Sequence, residues 1–277
     1  MRRIGEFVRV GQELRKKFWL EKLKLEMEWV DFTDEALQNP QSLLKSDRFD
    51  GLLLEPQFSP TLLSHSNRIP SEVRGVGMVD SIIRQNGINW IRCDLRRSIQ
   101  ELILEKAPRL NTHAIAYVTG SDPLARLCTA LVAQMGFRRI VLIAEDQDKA
   151  RAIIQEVGQL FFNLDFKLLR ETELTLQPNN GSLLLNTLPS ATGGIVFEDL
   201  TYLNFLHQEG LVVDLPIEPK GNALLEEAEH VGVRRLPGVE AWALRDYYFL
   251  QALSFSLPSP SEYLSQWTSV LQEEKQT

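Results

Sequence analysis

The sequence predicts an α/β protein with two domains and mostly parallel sheets, because short apolar runs alternate with helical segments along most of the chain. The clearest such unit lies at 113–151. Residues 115–119 form an apolar run without helical period, residues 124–134 have apolar side chains at helical spacing, and 140–143 is a second apolar run. Two strands joined by a crossover helix are the opening of a doubly wound parallel sheet.

Composition excludes several classes of protein. With 277 residues and 44% apolar content, the chain has room for two ordinary domains with real cores. The net charge of −7 argues against nucleic-acid and anionic-membrane binding. The four histidines are scattered, and Cys93 and Cys128 are too few for a disulfide framework, so we expect no metal site. Without an apolar run of membrane length or a signal-peptide core, we expect a cytoplasmic protein.

The remaining elements follow from apolar period, turn residues and capping residues. We expect further strands at 4–10, 50–56, 77–83, 88–93, 167–169, 183–185, 195–197, 210–213 and 233–236. We expect further helices at 11–30, 34–45 (with Thr33 as cap), 60–66, 94–106, 147–160, 222–230, 238–254 and 258–271. The first domain spans 1–110, the second 111–239, and helices within 240–277 return to the first. The basic cluster at 15–17 is interpreted as a solvated helix face.

Ligands of parallel sheets bind beyond the carboxyl ends of the strands, which draws attention to the residues that follow each strand. Gly120 and Ser121 follow the first strand of the unit at 113–151. Glu145 follows the second strand, where an acid binds the ribose hydroxyls of NAD or is simply one of several solvated charges. Asn186 and Asp214 end later strands, where they contact a ligand or hold loop backbones by hydrogen bonds.

A series of segments, in order, resembles the shikimate dehydrogenase family, which pairs an N-terminal substrate domain with a C-terminal dinucleotide domain. GMVDS at 77–81 is similar to the family's G-A-V-N-T segment, and Asp94 lies at the place of its catalytic aspartate. TGSDPLAR at 119–126 falls on the phosphate loop G-A-G-G-A-A-R, and LLLNTLP at 183–189 on L-I-N-A-T-P. Further matches are AEDQDK at 144–149, VVDLPIEP at 212–219, ALLEEAEHVG at 223–232 and PGVEAWALRD at 237–246.

The resemblance implies an N-terminal substrate-type α/β domain and a C-terminal Rossmann-like sheet. It implies a catalytic role for Asp94 and substrate-binding roles for Asp80, Ser81 and Arg245, which stand for an asparagine, a threonine and a glutamine. It implies cofactor contacts from Gly120, Ser121, Glu145, Asn186 and Gly238. From the residues themselves, Asp94 is a helix cap, an acid–base group or a ligand contact. Arg245 pairs with a carboxylate of the protein or of a ligand.

The departures from the family pattern fall on its chemistry. Phe58 stands where the family has its catalytic lysine, and a phenyl ring cannot move a proton. The S-x-S that holds the substrate carboxylate has no counterpart in GEFVRVGQEL, and Ile217 replaces a tyrosine. Asp122 and Pro123 replace the second and third glycines of the phosphate loop, which adds a negative charge and removes a backbone donor. We expect Asp122 to cap the following helix itself.

These losses favour a shikimate-dehydrogenase-like pseudoenzyme that binds a small molecule or a protein partner in its inter-domain cleft. Two alternatives stay open: an active oxidoreductase of altered specificity that uses Asp94, and a scaffold subunit of an assembly. We expect no cofactor, and NAD rather than NADP if one binds, because Glu145 replaces the family's arginine for the 2′-phosphate. We expect no nucleic-acid or membrane partner, and a homodimer is left open.

Overall fold

The computed structural model describes residues 1–7, 12–30, 32, 39–174, 176–189, 203–216 and 223–276. The chain divides into two compact units, Met1–Arg97 with Trp242–Thr277, and Ser98–Ala241. The described helices are α1 (Gln12–Lys17), α2 (Pro40–Lys45), α3 (Ser59–His65), α4 (Ser71–Val76), α5 (Asp94–Lys106), α6 (Pro123–Gln134), α7 (Gln147–Leu160), α8 (Ala223–His230), α9 (Gly238–Ala252) and α10 (Pro260–Gln276). Both divisions between the units therefore fall inside helices, α5 and α9. The domain limits derived from the sequence stay predictions.

The first unit contains a five-stranded mixed sheet. Its strands are β1 (Arg2–Phe7), β2 (Met27–Val30), β3 (Gly51–Leu54), β4 (Ser81–Gln85) and β5 (Ile88–Arg92), in the order β2-β1-β3-β4-β5. Strand β1 is parallel to β2 and β3, whereas β4 runs antiparallel to β3 and β5. The β4–β5 turn has Asn86 and Gly87 at φ 52° and 74°, which is the backbone of a tight hairpin turn.

Several sequence predictions in the first unit differ from the structure, and the strand expected at 77–83 lies at Ser81–Gln85. The helix expected at 11–30 is wrong in its second half, because a π-helical turn at Phe18–Lys22 follows α1 and Met27–Val30 pairs with β1 as a strand. The helix expected at 34–45 begins at Pro40, where the Asn39 side chain accepts from the Ser42 amide at 3.2 Å. The proposed cap Thr33 lies outside the described residues. Helix α4 was not expected from the sequence.

Aromatic side chains connect the early and late helices of the first unit. The indole of Trp19 donates to the hydroxyl of Tyr263 at 2.9 Å. Phe18 packs edge-on against Tyr263 and against Trp267, with 5.1 Å between ring centroids in each pair. Large aromatic pairs of this kind contribute beyond the area they bury, so α10 is part of this core rather than an appendage.

The second unit contains a six-stranded, fully parallel sheet. Its strands are β6 (Ile115–Thr119), β7 (Arg139–Ile143), β8 (Asp165–Leu169), β9 (Gly181–Asn186), β10 (Leu206–Asp214) and β11 (Arg234–Pro237), in the order β11-β10-β9-β6-β7-β8. Counted from β6, this is the doubly wound order 3-2-1-4-5-6. All six residues of β9 are buried, as expected for a sheet covered on both faces. The predicted fold class is confirmed, and the strand expected at 195–197 lies outside the described residues.

Strand order determines where a ligand site is expected in this sheet. The order reverses between β6 and β9, which pair in parallel from Ile115 and Gly181 onward. A crevice forms beyond the carboxyl ends of two strands where their connections leave in opposite directions. Thr119 and Asn186 end these two strands and therefore mark the candidate site of the second unit. None of the described helices has the length and apolar content needed to cross a bilayer.

Candidate functional site

Gly120 leaves β6 in a conformation that only glycine adopts easily. Its φ is 99°, and a Cβ on it would clash with the Thr187 side-chain oxygen. That hydroxyl donates to the Thr119 carbonyl at 2.6 Å. Gly120 is therefore required for close packing against the residue that follows β9, and Ser121 follows it as a half-buried turn residue.

The N-terminus of α6 already has an anion, supplied by the chain itself. The Oδ1 atom of Asp122 accepts from the Ala125 amide at 2.8 Å, and Pro123 occupies the first helical position. The predicted internal cap is thus confirmed. In doubly wound sheets this helix start receives the pyrophosphate of a dinucleotide. Here the backbone donor at Ala125 is taken, and the carboxylate gives the place a negative charge.

Polar side chains at the ends of β6, β9 and β10 bind one another. The Thr119 hydroxyl donates to Asn186 Oδ1 at 2.5 Å, and Asn186 Nδ2 donates to Asp214 Oδ1 at 2.5 Å. Asn186 also donates to the Leu188 carbonyl at 2.9 Å and accepts from its amide at 3.2 Å. Of the two roles that the sequence left open for Asn186 and Asp214, the structure shows the holding of strand ends and loops. Sequence reasoning missed Thr119 and Thr187.

The two remaining cofactor candidates have different surroundings. Glu145 follows β7 and is exposed, next to Asp146, which caps α7 by accepting from the Lys149 amide at 3.1 Å. Gly238 begins α9, and a Cβ on it would clash with the carbonyl oxygens of Asp214 and Leu215. Close backbone approach therefore explains this glycine without any cofactor.

The substrate-site candidates of the first unit meet at the start of α5. The Ser81 hydroxyl lies 3.0 Å from Asp80 Oδ1 and 3.3 Å from Asp94 Oδ2. Arg92 binds both carboxylate oxygens of Asp94, through Nε at 2.9 Å and Nη2 at 2.6 Å. The Leu95 amide donates to Asp80 Oδ2 at 2.6 Å. Asp80 thus stabilises the start of the helix, while Asp94 forms a forked ion pair.

Burial makes Asp80 unusually easy to protonate. Burial, and after it the neighbouring Asp94 carboxylate, raise the pKa of this carboxyl to about 6. The Arg245 guanidinium and the amides of Leu95 and Asp94 lower it only in part. A carboxyl with a pKa in this range exchanges a proton near neutral pH, which is what acid–base chemistry requires.

Four charged side chains form a buried cluster beside this site, which we call the ion cluster. Arg15 lies between two acids, with Nε 2.6 Å from Asp246 Oδ2 and Nη1 on Glu6 Oε1. Arg245 Nε lies 2.8 Å from Asp246 Oδ1. Burial raises the pKa of Glu6 to about 7, although Arg15 opposes that shift. The interpretation of Arg15 as part of a solvated face is wrong, since it is 2% exposed.

Phe58, which the resemblance places where the family has its lysine, is half-buried at the edge of an apolar core. Phe58 ends a 3₁₀ turn at Pro56–Phe58 and packs against a cluster that contains Leu52, Leu54 and Val79. In the described part of the chain, no group of three or more His, Cys, Asp or Glu side chains is arranged to hold a metal ion.

Replacing Asp80 with asparagine is expected to stabilise the protein at alkaline pH. Because its folded-state pKa is raised, the native state binds more protons than the unfolded chain between about pH 4 and pH 6, so wild-type stability falls as pH rises through that window. Asparagine still accepts from Leu95 but cannot ionise. We expect a gain on the order of 2 kcal/mol at about pH 8 and almost none at about pH 4, measured by urea unfolding. Exposed Asp148→Asn is the control, and parallel stability curves for D80N and wild type would contradict the prediction.

Comparison with known proteins finds similarity to shikimate dehydrogenases. No family model matches the chain. The curated shikimate dehydrogenase (NADP(+)) of Shouchella clausii (strain KSM-K16) is 25% identical over 213 residues, which cover 76% of this chain and 74% of that protein. The chain is therefore similar to shikimate dehydrogenases in sequence.

Solved shikimate dehydrogenases share the fold over nearly the whole chain. That of Thermus thermophilus, in complex with NADP(H) and shikimate, is 20% identical with a TM-score of 0.73, covering 98% of this chain and 100% of that one. Another shikimate dehydrogenase, in complex with NADP+, is 15% identical with a TM-score of 0.77, covering 99% and 96%. These complexes stand in tension with the expectation that no cofactor binds. The identity to these proteins is low, and the roles of Asp80, Ser81, Asp94 and Arg245 that the resemblance implies stay predictions.

Proposed function

We propose that this protein belongs to the shikimate dehydrogenase family, has lost dehydrogenase activity and binds a small molecule in its first unit. The observation that carries the proposal is the carboxylate of Asp122 on the Ala125 amide at the start of α6. A dinucleotide pyrophosphate would need the same donor and would meet a like charge. At about 4 Å and an effective dielectric constant near 20, one such repulsion is roughly 4 kcal/mol before screening.

Other residues around α6 support the same conclusion. Pro123 has no amide hydrogen to offer a phosphate, and Thr187 fills the space above Gly120. Asn186 is already bonded to Thr119, Leu188 and Asp214. The residues present therefore do not fit a dinucleotide, and we derive no reaction step through one.

The residues of the first unit favour the loss of dehydrogenase activity together with the retention of small-molecule binding. Phe58 offers no proton at the place of the lysine, and both carboxylate oxygens of Asp94 are bound by Arg92. Buried polar groups nevertheless remain concentrated there: Asp80, Ser81, Asp94 and Arg245 are all at most 5% exposed. A buried cluster of bonded polar groups, in place of apolar packing, favours a retained polar ligand site over a filled core.

Titration with NADPH and NADH tests the loss of cofactor binding. We expect no heat signal and no change in tryptophan fluorescence with the wild type at millimolar dinucleotide. The double variant D122G/P123G restores a glycine backbone, and we expect it to bind dinucleotide at least about tenfold more tightly. The control variant D146G removes a comparable cap from α7, and we expect it to leave the affinity for dinucleotide unchanged. Sub-millimolar binding of either dinucleotide by the wild type would refute the proposal.

An active oxidoreductase of altered specificity is the second candidate, favoured by the pKa of Asp80 near 6 beside Asp94. The curated relative named as an NADP(+)-dependent shikimate dehydrogenase supports the same candidate. For this chain NAD is the expected partner, because Glu145 favours ribose hydroxyls over a 2′-phosphate. Shikimate-dependent formation of NADH, abolished in D94N and retained in exposed D148N, would establish this function in place of the first.

A further inference from the structure

A depression at the amino end of β1 and β3 brings together three arginines from two strands of the first sheet. Its volume is about 410 Å³, which lies in the range of small-molecule sites. We call it the arginine depression, and its lining residues are Arg2, Arg3, Asp47, Asp50, Arg84, Gln85, Asn86 and Gly87. All of them belong to the first unit, so the depression is formed within one compact body.

The arginine depression lies at the opposite end of β3 from Asp80. Asp50 comes directly before this strand, whereas Leu54 ends it and donates its amide to the Asp80 carbonyl at 2.9 Å. A strand rises about 3.3 Å per residue, so the two places are separated by about 13 Å. A ligand in the depression would therefore not touch the polar cluster of Asp80, Ser81 and Asp94.

The guanidinium groups in the depression are weakly compensated by their surroundings. Within the described residues, the Arg2 side chain has no hydrogen-bond or ion-pair partner, and Arg84 donates through Nη1 to the Ser46 carbonyl. Arg3 Nε lies 3.7 Å from Asp50 Oδ2, which is longer than a hydrogen bond. A carbonyl carries no net charge, so Arg2 and Arg84 keep positive charges that no ion pair in this part of the chain opposes.

Two acids in the depression oppose the arginines only in part. Asp50 already accepts from the Arg3 amide at 2.7 Å and faces the guanidinium of the same residue. Asp47 is exposed, so water screens its charge. Three arginines against two acids leave one positive charge here, on a chain whose net charge is −7. The depression is therefore a local positive region on an acidic protein, which favours an anion as its ligand.

The strands that carry the arginines are held on both sides. Strand β1 lies between β2 and β3, and β4 lies between β3 and β5. The Arg84 amide also donates to the Asp50 carbonyl at 2.8 Å, which fixes the backbone at this residue. A fixed backbone lowers the entropic cost of binding, and a planar guanidinium donates to phosphate oxygens in pairs. The volume exceeds that of one phosphate group, so an organic group fits beside it.

We propose that the arginine depression binds a small organic phosphate monoester, with the guanidinium groups of Arg2 and Arg84 as anchors for the phosphate. This site goes beyond the function proposed above, because it shares no residue with the polar cluster at Asp80 or with the start of α6. Since the attraction is between charges near the surface, added salt should weaken it.

Calorimetry on the full chain tests the site with ribose 5-phosphate, and with ribose as the uncharged counterpart. We expect the phosphate ester to bind, with an affinity that falls as sodium chloride is raised, and we expect no heat signal with ribose. The double variant R2Q/R84Q should lower the affinity at least about tenfold, because it removes both anchors. D47N should raise the affinity, because it removes an opposing charge. R74Q, which removes an exposed arginine from α4 of the same unit, is the control and should leave the affinity unchanged.

A measurement on the wild type guards against variants that fail to fold. Side-chain spectra of protein labelled with ¹⁵N-arginine should show the Arg2 and Arg84 Nε–H signals shift on saturation with ribose 5-phosphate, and no shift with ribose. Inorganic phosphate distinguishes the two sources of the anion, and we expect it to bind more weakly than the ester.

Four results would overturn the proposal. They are the absence of binding at millimolar ribose 5-phosphate, an equal loss of affinity in R74Q and R2Q/R84Q, unmoved arginine signals, and binding of inorganic phosphate as tight as that of the ester. None of these results bears on dinucleotide binding, which the D122G/P123G variant tests separately.

Discussion

Replacing Asp246 with alanine is expected to destabilise the first unit by about 3–5 kcal/mol. Asp246 lies 2.6 Å from Arg15 and 2.8 Å from Arg245, and it is 1% exposed. The substitution leaves two buried guanidinium groups with one acid, Glu6, whose own pKa burial raises to about 7. Uncompensated buried charge cannot recover its hydration in the folded state, and this accounts for the size of the effect.

Urea unfolding followed by tryptophan fluorescence measures this effect, because Trp19 and Trp267 report on the same unit. The matched control is D148A, which removes an acid from an ion pair with Arg151 at 2.6 Å on an exposed face of α7. Exposed ion pairs of this kind contribute little to stability, so we expect the free energy of unfolding of D148A to lie within about 0.5 kcal/mol of the wild-type value. If the free energy of unfolding of D246A lay within about 1 kcal/mol of the wild-type value, the ion cluster would have to be hydrated.

Replacing Gly238 with alanine is expected to destabilise the second unit by roughly 3 kcal/mol. The added methyl group would overlap the carbonyl oxygens of Asp214 and Leu215. Both atoms belong to the backbone at the end of β10, which pairs with β9 and β11 and cannot move aside without breaking the sheet. The cost therefore arises even if no cofactor ever touches this glycine.

Gly158 provides the matched control for this second substitution. It lies inside α7, and a Cβ there would meet only a ring carbon of Phe166 at 3.8 Å. Alanine at a helix interior with open space is expected to stabilise by roughly 0.5–1 kcal/mol. Thermal unfolding of G238A and G158A should therefore shift in opposite directions. Similar melting temperatures for the two variants would show that the backbone between β10 and α9 moves to make room for the added methyl group.

Sequence signals that act over a few residues, such as apolar period and helix caps, predicted the local helices and strands correctly. The period of 124–134, the proline at 123 and the acid at 122 act within one turn of α6, and the structure has that helix with that cap. The apolar runs at 115–119 and 140–143 became β6 and β7 because a parallel sheet buries both faces of its strands. Strand β2 was missed for the opposite reason. Its residues gain their conformation from pairing with β1, which a local period does not contain.

The same limit explains which site residues were missed. The family resemblance assigned Asp80, Ser81 and Asp94 to one site, and the structure brings these three side chains together. Arg15 and Asp246 are separated by 231 positions, so nothing around Arg15 indicates that its guanidinium is buried. Thr119 and Thr187 are separated by 68 positions and bind across neighbouring strands. Their roles follow from strand order, which the sequence reveals only through a resemblance to known folds.

The division of the chain has a consequence for biosynthesis. The second unit, Ser98–Ala241, is continuous and is synthesised whole before the last segment of the first unit leaves the ribosome. Until then Arg15 lacks Asp246, and Trp19 lacks the hydroxyl of Tyr263. Domains generally fold as units during translation, at about 5–20 residues per second. The nascent first unit therefore exposes a charged and aromatic surface for the seconds needed to complete α9 and α10, and that interval is when a chaperone would act.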